Sequence, residues 1–409
     1  MPVVPPPRRI VLEEPAPLLR WLDGGPEEVD LDRIELSEIW GLVALATLGR
    51  RERASLVPAR TRGETGASRF AHAVGFGDVI EGSPAIEAAQ PARTVRLARL
   101  RDFVAIEPAA GRISRLIISD PQFEETRRAV YYVLVELLRN VLQHSQDPLG
   151  AVVAAQVDWR GQRDRVQIAV GDAGIGIFAA MKGMHRSLDS AQAAIERALW
   201  PHISGAFEQG WTGSPNQSNA GLGLFFISEI AKLELGKLVI ASRGATLVLE
   251  GGEEPDQPTF RFVEPKGLGF PGTLVAFEMP VGEVADYGGL MEAIQARAKE
   301  RQPRRVVHRW FTFDPPPPTV RVFLVSYASE NTQAAAEFSE RELEPRLFRR
   351  ESVALDFRNI DICTQSYLHA LLYAALRVAW ARQAPIYVVH AAPAVRSGLE
   401  FLESYALGG

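Results

Sequence analysis

The 409-residue chain has one cysteine, Cys363, which excludes an intramolecular disulfide framework and a cysteine-rich zinc site and fits a reducing compartment. It has no run of about 18 apolar residues that would cross a bilayer. Its first residues, MPVVPPPRRI, lack the apolar core of a secretory leader. Charge of one sign is also missing: 45 Lys and Arg stand against 50 Asp and Glu, for a net charge of -5 and a pI near 5.9. The whole chain thus offers no electrostatic reason to expect nucleic acid or an anionic membrane, although a local basic patch stays open. No short-period repeat is visible. What is present is an ordinary globular composition, 46% hydrophobic and 23% charged, long enough for two or three domains. The expectation is a cytoplasmic protein.

Patterning along the chain predicts an α+β fold. The first hundred residues read as a small α/β unit, with the helical stretch ELSEIWGLVALATLGRR, the polar loop ARTRGETGAS and a short helix in RFAHAVGF. A long helix follows in EETRRAVYYVLVELLRNVLQHS, opened by Asp120-Pro121 and an acidic first turn. Strands are expected at GAVVAAQVDW and RVQIAVGDAG, then at GKLVIASRGATLVLEG, PTFRFVEP and GTLVAFEMP, separated by Gly and Pro. Helix followed by meander predicts a mostly antiparallel sheet with helices on one face. A helix in GGLMEAIQARAKERQ precedes Pro315 to Pro318, which favour an extended spacer. Beyond the prolines, strand and helix alternate through VRVFLV, NTQAAAEFSERELEPRL, SVALDF, SYLHALLYAALRVAWAR, PIYVVHA and AVRSGLEFLESYAL, which predicts a compact α/β module. The expected division is 1–105, 106–285, 286–318 and 319–409.

Three motifs carry chemistry. In VELLRNVLQHS, Glu136, Asn140 and His144 are spaced by four, so they share one helix face among leucines and valines; alone, that spacing describes any amphipathic helix. The strand RVQIAV runs into Gly171-Asp172-Ala173-Gly174-Ile175-Gly176, and Asn219-Ala220-Gly221-Leu222-Gly223-Leu224 opens the helical FFISEIAKLE. A glycine pair before a helix is a weak signal alone, because glycines at element ends commonly make turns. Together and in this order, the three point to a nucleotide site.

In these motifs and in a closing GTLVAFEMP strand, residues 106–284 resemble the GHKL superfamily, the ATP-binding fold of gyrase, ninety-kilodalton heat-shock chaperones, sensor histidine kinases and mismatch-repair ATPases. The resemblance implies ATP and Mg2+ as cofactors, with a sandwich of mostly antiparallel sheet and helices. It implies that Asp172 accepts a hydrogen bond from the adenine amine, that Gly174 and Gly176 let the base approach backbone, and that Thr273, after Gly272, helps at the adenine end. Asn140 becomes the magnesium ligand, a hard oxygen donor for a cation that keeps waters and phosphate oxygens. Glu136 orients or deprotonates a water, as in hydrolytic members, unless it is a solvated helix position. His144 packs or lies near phosphate. Gly221, Leu222, Gly223 and Leu224 offer unpartnered helix N-terminal N–H groups to phosphate. Trp211 to Ser218 read as a lid, with Thr212, Lys182 and Arg186 as phosphate-contact candidates.

The last module resembles STAS-type domains, the fold of anti-sigma-factor antagonists, through the strand ending at Asp356 and the following helix. That family's Asp-Ser pair is replaced here by Thr364, Gln365 and Ser366, leaving Thr364 and Ser366 as phosphorylation candidates. The N-terminal unit is similar more loosely, with Glu38-Ile39-Trp40 offering no hydroxyl at the corresponding turn. These resemblances imply a Mg-ATP-dependent regulatory switch with ATPase activity, a protein partner on the STAS-like modules and a homo-oligomer as an option. Two alternatives stand beside it: a serine or histidine kinase of the anti-sigma or sensor type, although no phosphoacceptor histidine on a long helix pair precedes the site, and a non-catalytic nucleotide-sensing scaffold.

Overall fold

The computed structural model describes residues 5–24, 29–49, 59–60, 62–82, 85–89, 93–160, 163–182, 188–200, 223–252, 258–264, 267–300, 310–325 and 331–406. They form a mixed α+β structure that divides into two compact units, 1–199 with 227–285, and 200–226 with 286–409.

The first unit is organised by a nine-stranded sheet built from β1 (Ala88–Ala89), β2 (Thr94–Val95), β3 (Ala98–Leu100), β4 (Ala151–Arg160), β5 (Arg163–Asp172), β6 (Lys237–Ser242), β7 (Ala245–Glu250), β8 (Thr259–Phe262) and β9 (Thr273–Pro280). The order is β8-β7-β6-β9-β5-β4-β2-β1, with β3 also on β4, and every recorded pairing is antiparallel. Two details depart from a simple meander. GKLVIASRGATLVLEG is a hairpin, its two strands joined at Arg243-Gly244, and the last strand β9 inserts between β5 and β6.

The sheet is covered on both faces, where helices were expected on one. Strand period two separates Val152, Ala154, Ala169, Val239, Ala241, Leu274 and Ala276 from their neighbours, and this set forms one core with α1 (Ile39–Leu48) and the surrounding N-terminal residues. α1 is apolar all round and buried from Ile39 to Thr47, as a helix pressed between a sheet and a covering layer must be. Its approach is close enough that a Cβ on Gly171 would lie 2.6 Å from Thr47 Oγ1. The alternate residues lie outside that core, on the face where α2 (Ile106–Ile117) and α3 (Glu124–His144) pack against β4 and β5.

The boundary expected at residue 105 is therefore not one between compact units: each fully buried Leu or Val of α1 gains about 1.5–3 kcal/mol by covering the sheet. Among the described N-terminal residues, the strands outside the large sheet form two-residue parallel pairs, Arg9–Ile10 with Leu36–Ser37 and Val29–Asp30 with Ala59–Arg60.

The second unit holds a four-stranded parallel sheet of β10 (Phe311–Thr312), β11 (Arg321–Leu324), β12 (Val353–Asp356) and β13 (Ile386–Val389), in the order β10-β13-β12-β11. Helix Tyr287–Glu300 packs on the last helix through a buried apolar set that includes Ile294 and Ala298. The stretch expected to be a linker, 286–318, is thus part of this unit, and the four prolines lie in the connection between β10 and β11.

Candidate functional site

Register, not sequence proximity, assembles the strand-end site of the first unit. β9 pairs Thr273 with Asp172 of β5 and with Ser242 of β6, so a carboxylate and two hydroxyls stand in a row on one sheet face. Ser242 Oγ accepts from Ile177 N (2.9 Å), donates to the Gly272 carbonyl (3.0 Å) and stands 3.4 Å from Thr273 Oγ1. Asp172 is 1% exposed and accepts from Gly174 N at 2.8 Å. Burial pushes its carboxyl up to about 7, helped by the like charge of Asp147 and opposed by the backbone N–H groups of Gly174 and Thr273 and by Arg243.

The end of α3 is tied to this row. Ile175 N donates to Ser145 O (2.8 Å), and Asp147 accepts from Ala173 N (2.8 Å) and Leu149 N (2.9 Å). On the other side Arg243 Nε donates to Gly174 O (3.1 Å) and its guanidinium reaches Pro271 O (3.5 Å), bridging the two glycine-bearing loops. The glycines serve these close approaches: a Cβ on Gly174 would meet Ser145 O at 2.0 Å, and one on Gly272 would meet Asp172 O at 2.0 Å. Gly176 has φ +80° and lies beside Ser242 and Arg243. The clearance at Gly174, expected to admit a base, is occupied by the chain's own backbone.

The helix positions divide by depth. Glu136 is 1% exposed, so a solvated position is overturned. It is paired with the equally buried Arg139 at 3.4 Å. Asn140 is half-buried, and its amide nitrogen is buried without a hydrogen-bond partner among the described residues. His144 keeps a small exposed edge, and desolvation lowers its pKa. Among the described residues no three His, Cys, Asp or Glu form a metal cage, so a divalent ion here would draw on water and phosphate for most ligands.

Gly223 and Leu224 are the first described residues of α4 (Gly223–Leu233). Thr212, Gly221, Leu222, Arg186 and the lid stretch Trp211 to Ser218 lie outside the described residues. Lys182 is exposed and donates to Leu188 O. Asp147, Ser242 and Arg243 were missed in the sequence; only the Arg-Gly turn between two strand-like runs marked the last two as a loop tip.

Comparisons with protein-family models, with curated proteins and with solved structures all returned nothing, so the reading of the site rests on its own chemistry. The residues present fit a nucleotide: a buried carboxylate at a strand end, adjacent hydroxyls, and an Asn140 amide whose NH2, unpartnered among the described residues, is a donor for a phosphate oxygen and whose oxygen would be the metal ligand. No helix of the described residues is long and apolar enough to cross a membrane.

Proposed function

We propose that the chain binds an adenine nucleotide with Mg2+ and uses the bound state as a conformational signal to a protein partner. The observation that carries the reading is Asp172, a carboxylate so buried that its protonation midpoint lies at about 7. Ionising such a group is costly unless a donor arrives, and the exocyclic amine of adenine is one. Thr273 and Ser242 supply neighbouring hydroxyls. Asn140 would hold Mg2+ through its amide oxygen, and the ion would neutralise phosphate charge. Glu136 would orient a water for hydrolysis. A second reading, the non-catalytic sensor, draws on the Glu136–Arg139 pair, which engages that carboxylate within the helix.

Titration calorimetry with Mg-ATP at pH 6 and pH 8 tests the first claim. Because the ionised carboxylate is the acceptor, affinity should weaken toward pH 6 by up to about tenfold per pH unit below the midpoint. Asp172→Asn should weaken binding about ten- to hundredfold, as loss of a hydrogen bond to a charged group does, and should flatten the pH dependence. No saturable heat at either pH would end the proposal. γ-Labelled ATP then separates the two readings: free phosphate that disappears in Glu136→Gln supports hydrolysis, whereas intact nucleotide supports the sensor.

A further inference from the structure

The second unit carries an unassigned cluster at the carboxyl ends of β12 and β13. Asp356, the last residue of β12, is 2% exposed. Its Oδ1 lies 2.8 Å from His390 Nδ1, and its Oδ2 accepts from Arg358 Nε (2.7 Å) and from the same guanidinium's outer nitrogen. Its two partners lie at the surface, with the His390 and Arg358 side chains 61% and 57% exposed. His390 follows β13 directly and takes φ +55°, an uncommon conformation for a residue with a Cβ.

This arrangement has a chemical consequence. A carboxylate bound to Nδ1 makes that nitrogen the proton-bearing one, leaving the Nε2 lone pair as the ring's nucleophilic position. Asp356 is held ionised, its carboxyl lowered to about 2 by Arg358 first and His390 second, so it remains a counter-charge if the ring becomes cationic. Strand-end crevices in parallel sheets, next to the helices that follow, are where such sheets place ligands. Here α5 (Gln365–Arg382) and α6 (Pro393–Ala406) follow β12 and β13.

We propose that His390 is a phosphoryl acceptor, with Nε2 as nucleophile, Asp356 as its positioning residue and Arg358 as a cation for the transferred group. The Nε2 lone pair attacks phosphorus of a phosphoramidate or phosphoanhydride donor. The N–P bond forms as the donor's P–N or P–O bond breaks, the leaving group departs with that electron pair, and the Nδ1 proton stays between the ring and Asp356. The site draws on the adenine-nucleotide reading only for ATP as a donor.

The test is phosphoramidate labelling of the full chain, mapped by mass spectrometry under non-acidic conditions. His390 should label at least about tenfold faster than N-acetylhistidine amide in the same mixture, whose imidazole has no carboxylate held against Nδ1. The label should survive pH 10 and be lost in mild acid. Asp356→Asn should slow labelling about ten- to hundredfold, since an amide supports the wrong tautomer, with circular dichroism confirming the fold. If that variant unfolds, the rate at His390 in the wild-type chain relative to N-acetylhistidine amide decides. Equal rates at His390 and at N-acetylhistidine amide, or Asp356→Asn labelling at the wild-type rate, would overturn the proposal. Mg-ATP in place of phosphoramidate separates the two readings: label lost in Asp172→Asn identifies ATP as the donor, and no label from ATP rejects ATP alone.

Discussion

Asp172 and Asp356 are placed alike, yet their chemistry diverges. Each is the last residue of a central strand, and they are 1% and 2% exposed. Desolvation lifts Asp172 to about 7, because its partners are backbone N–H groups and the nearby Asp147 repels it. Asp356 is lowered to about 2, because a guanidinium and an imidazole bind it directly. Burial alone does not fix a carboxyl group; the charge aimed at it does. One carboxyl is held chiefly by backbone N–H groups, whereas the other is engaged directly by an arginine and a histidine side chain.

The largest effect that would break this comparison is on stability. Asp172 has a folded pKa above its unfolded one, so the folded state holds an extra proton between about pH 4 and pH 7. Its contribution is most favourable at the acid end and is lost as pH rises through that window, by up to ~4 kcal/mol. Asp172→Asn should therefore be the more stable protein at pH 7 and nearly equal to wild type at pH 4 by urea denaturation, and parallel pH profiles would refute the assignment. Next in size, Gly272→Ala should cost about 1–3 kcal/mol, since its Cβ would lie 2.0 Å from Asp172 O and two paired strands must move; a wild-type melting temperature would show that the loop yields freely.

On the Asp356 side the expected effects are smaller. Thr364 is 1% exposed and its hydroxyl oxygen accepts from Tyr367 N at 3.2 Å to cap α5, so Thr364→Ala should cost about 1 kcal/mol in the same denaturation assay. With Ser366 equally buried, neither hydroxyl is presented for phosphorylation in the described structure. Asp356→Asn comes last. Stability from a lowered carboxyl is present above pH 4 and fades toward pH 2, and both partners are more than half exposed, so salt screens the gain. The difference from wild type should shrink in 1 M salt; a difference insensitive to salt would mean packing rather than charge.

Much of this was legible along the chain. The 3.6-residue period of VELLRNVLQHS marked α3 and its polar face, and β-branched runs between Gly and Pro marked the strands of both sheets. The hairpin at Arg243-Gly244 read as one segment because two turn residues interrupt the pattern so little. Whether Glu136 was wet could not be read, since an amphipathic pattern does not say what covers the helix; α3 lies against α2 and the sheet, and Glu136 is buried there.

Local pattern determined the elements, the strand ending in Asp172, the helix carrying Asn140 and the strand ending in Asp356, because side-chain periodicity and turn chemistry act over a few residues. The tertiary structure alone decided that β9 lies between β5 and β6, that α1 covers the sheet's second face, and that His390 meets Asp356 from 34 residues away. Those outcomes depend on strand register and on which apolar faces find each other. Such long-range choices set the dielectric and the neighbours of each carboxylate, and with them its chemistry.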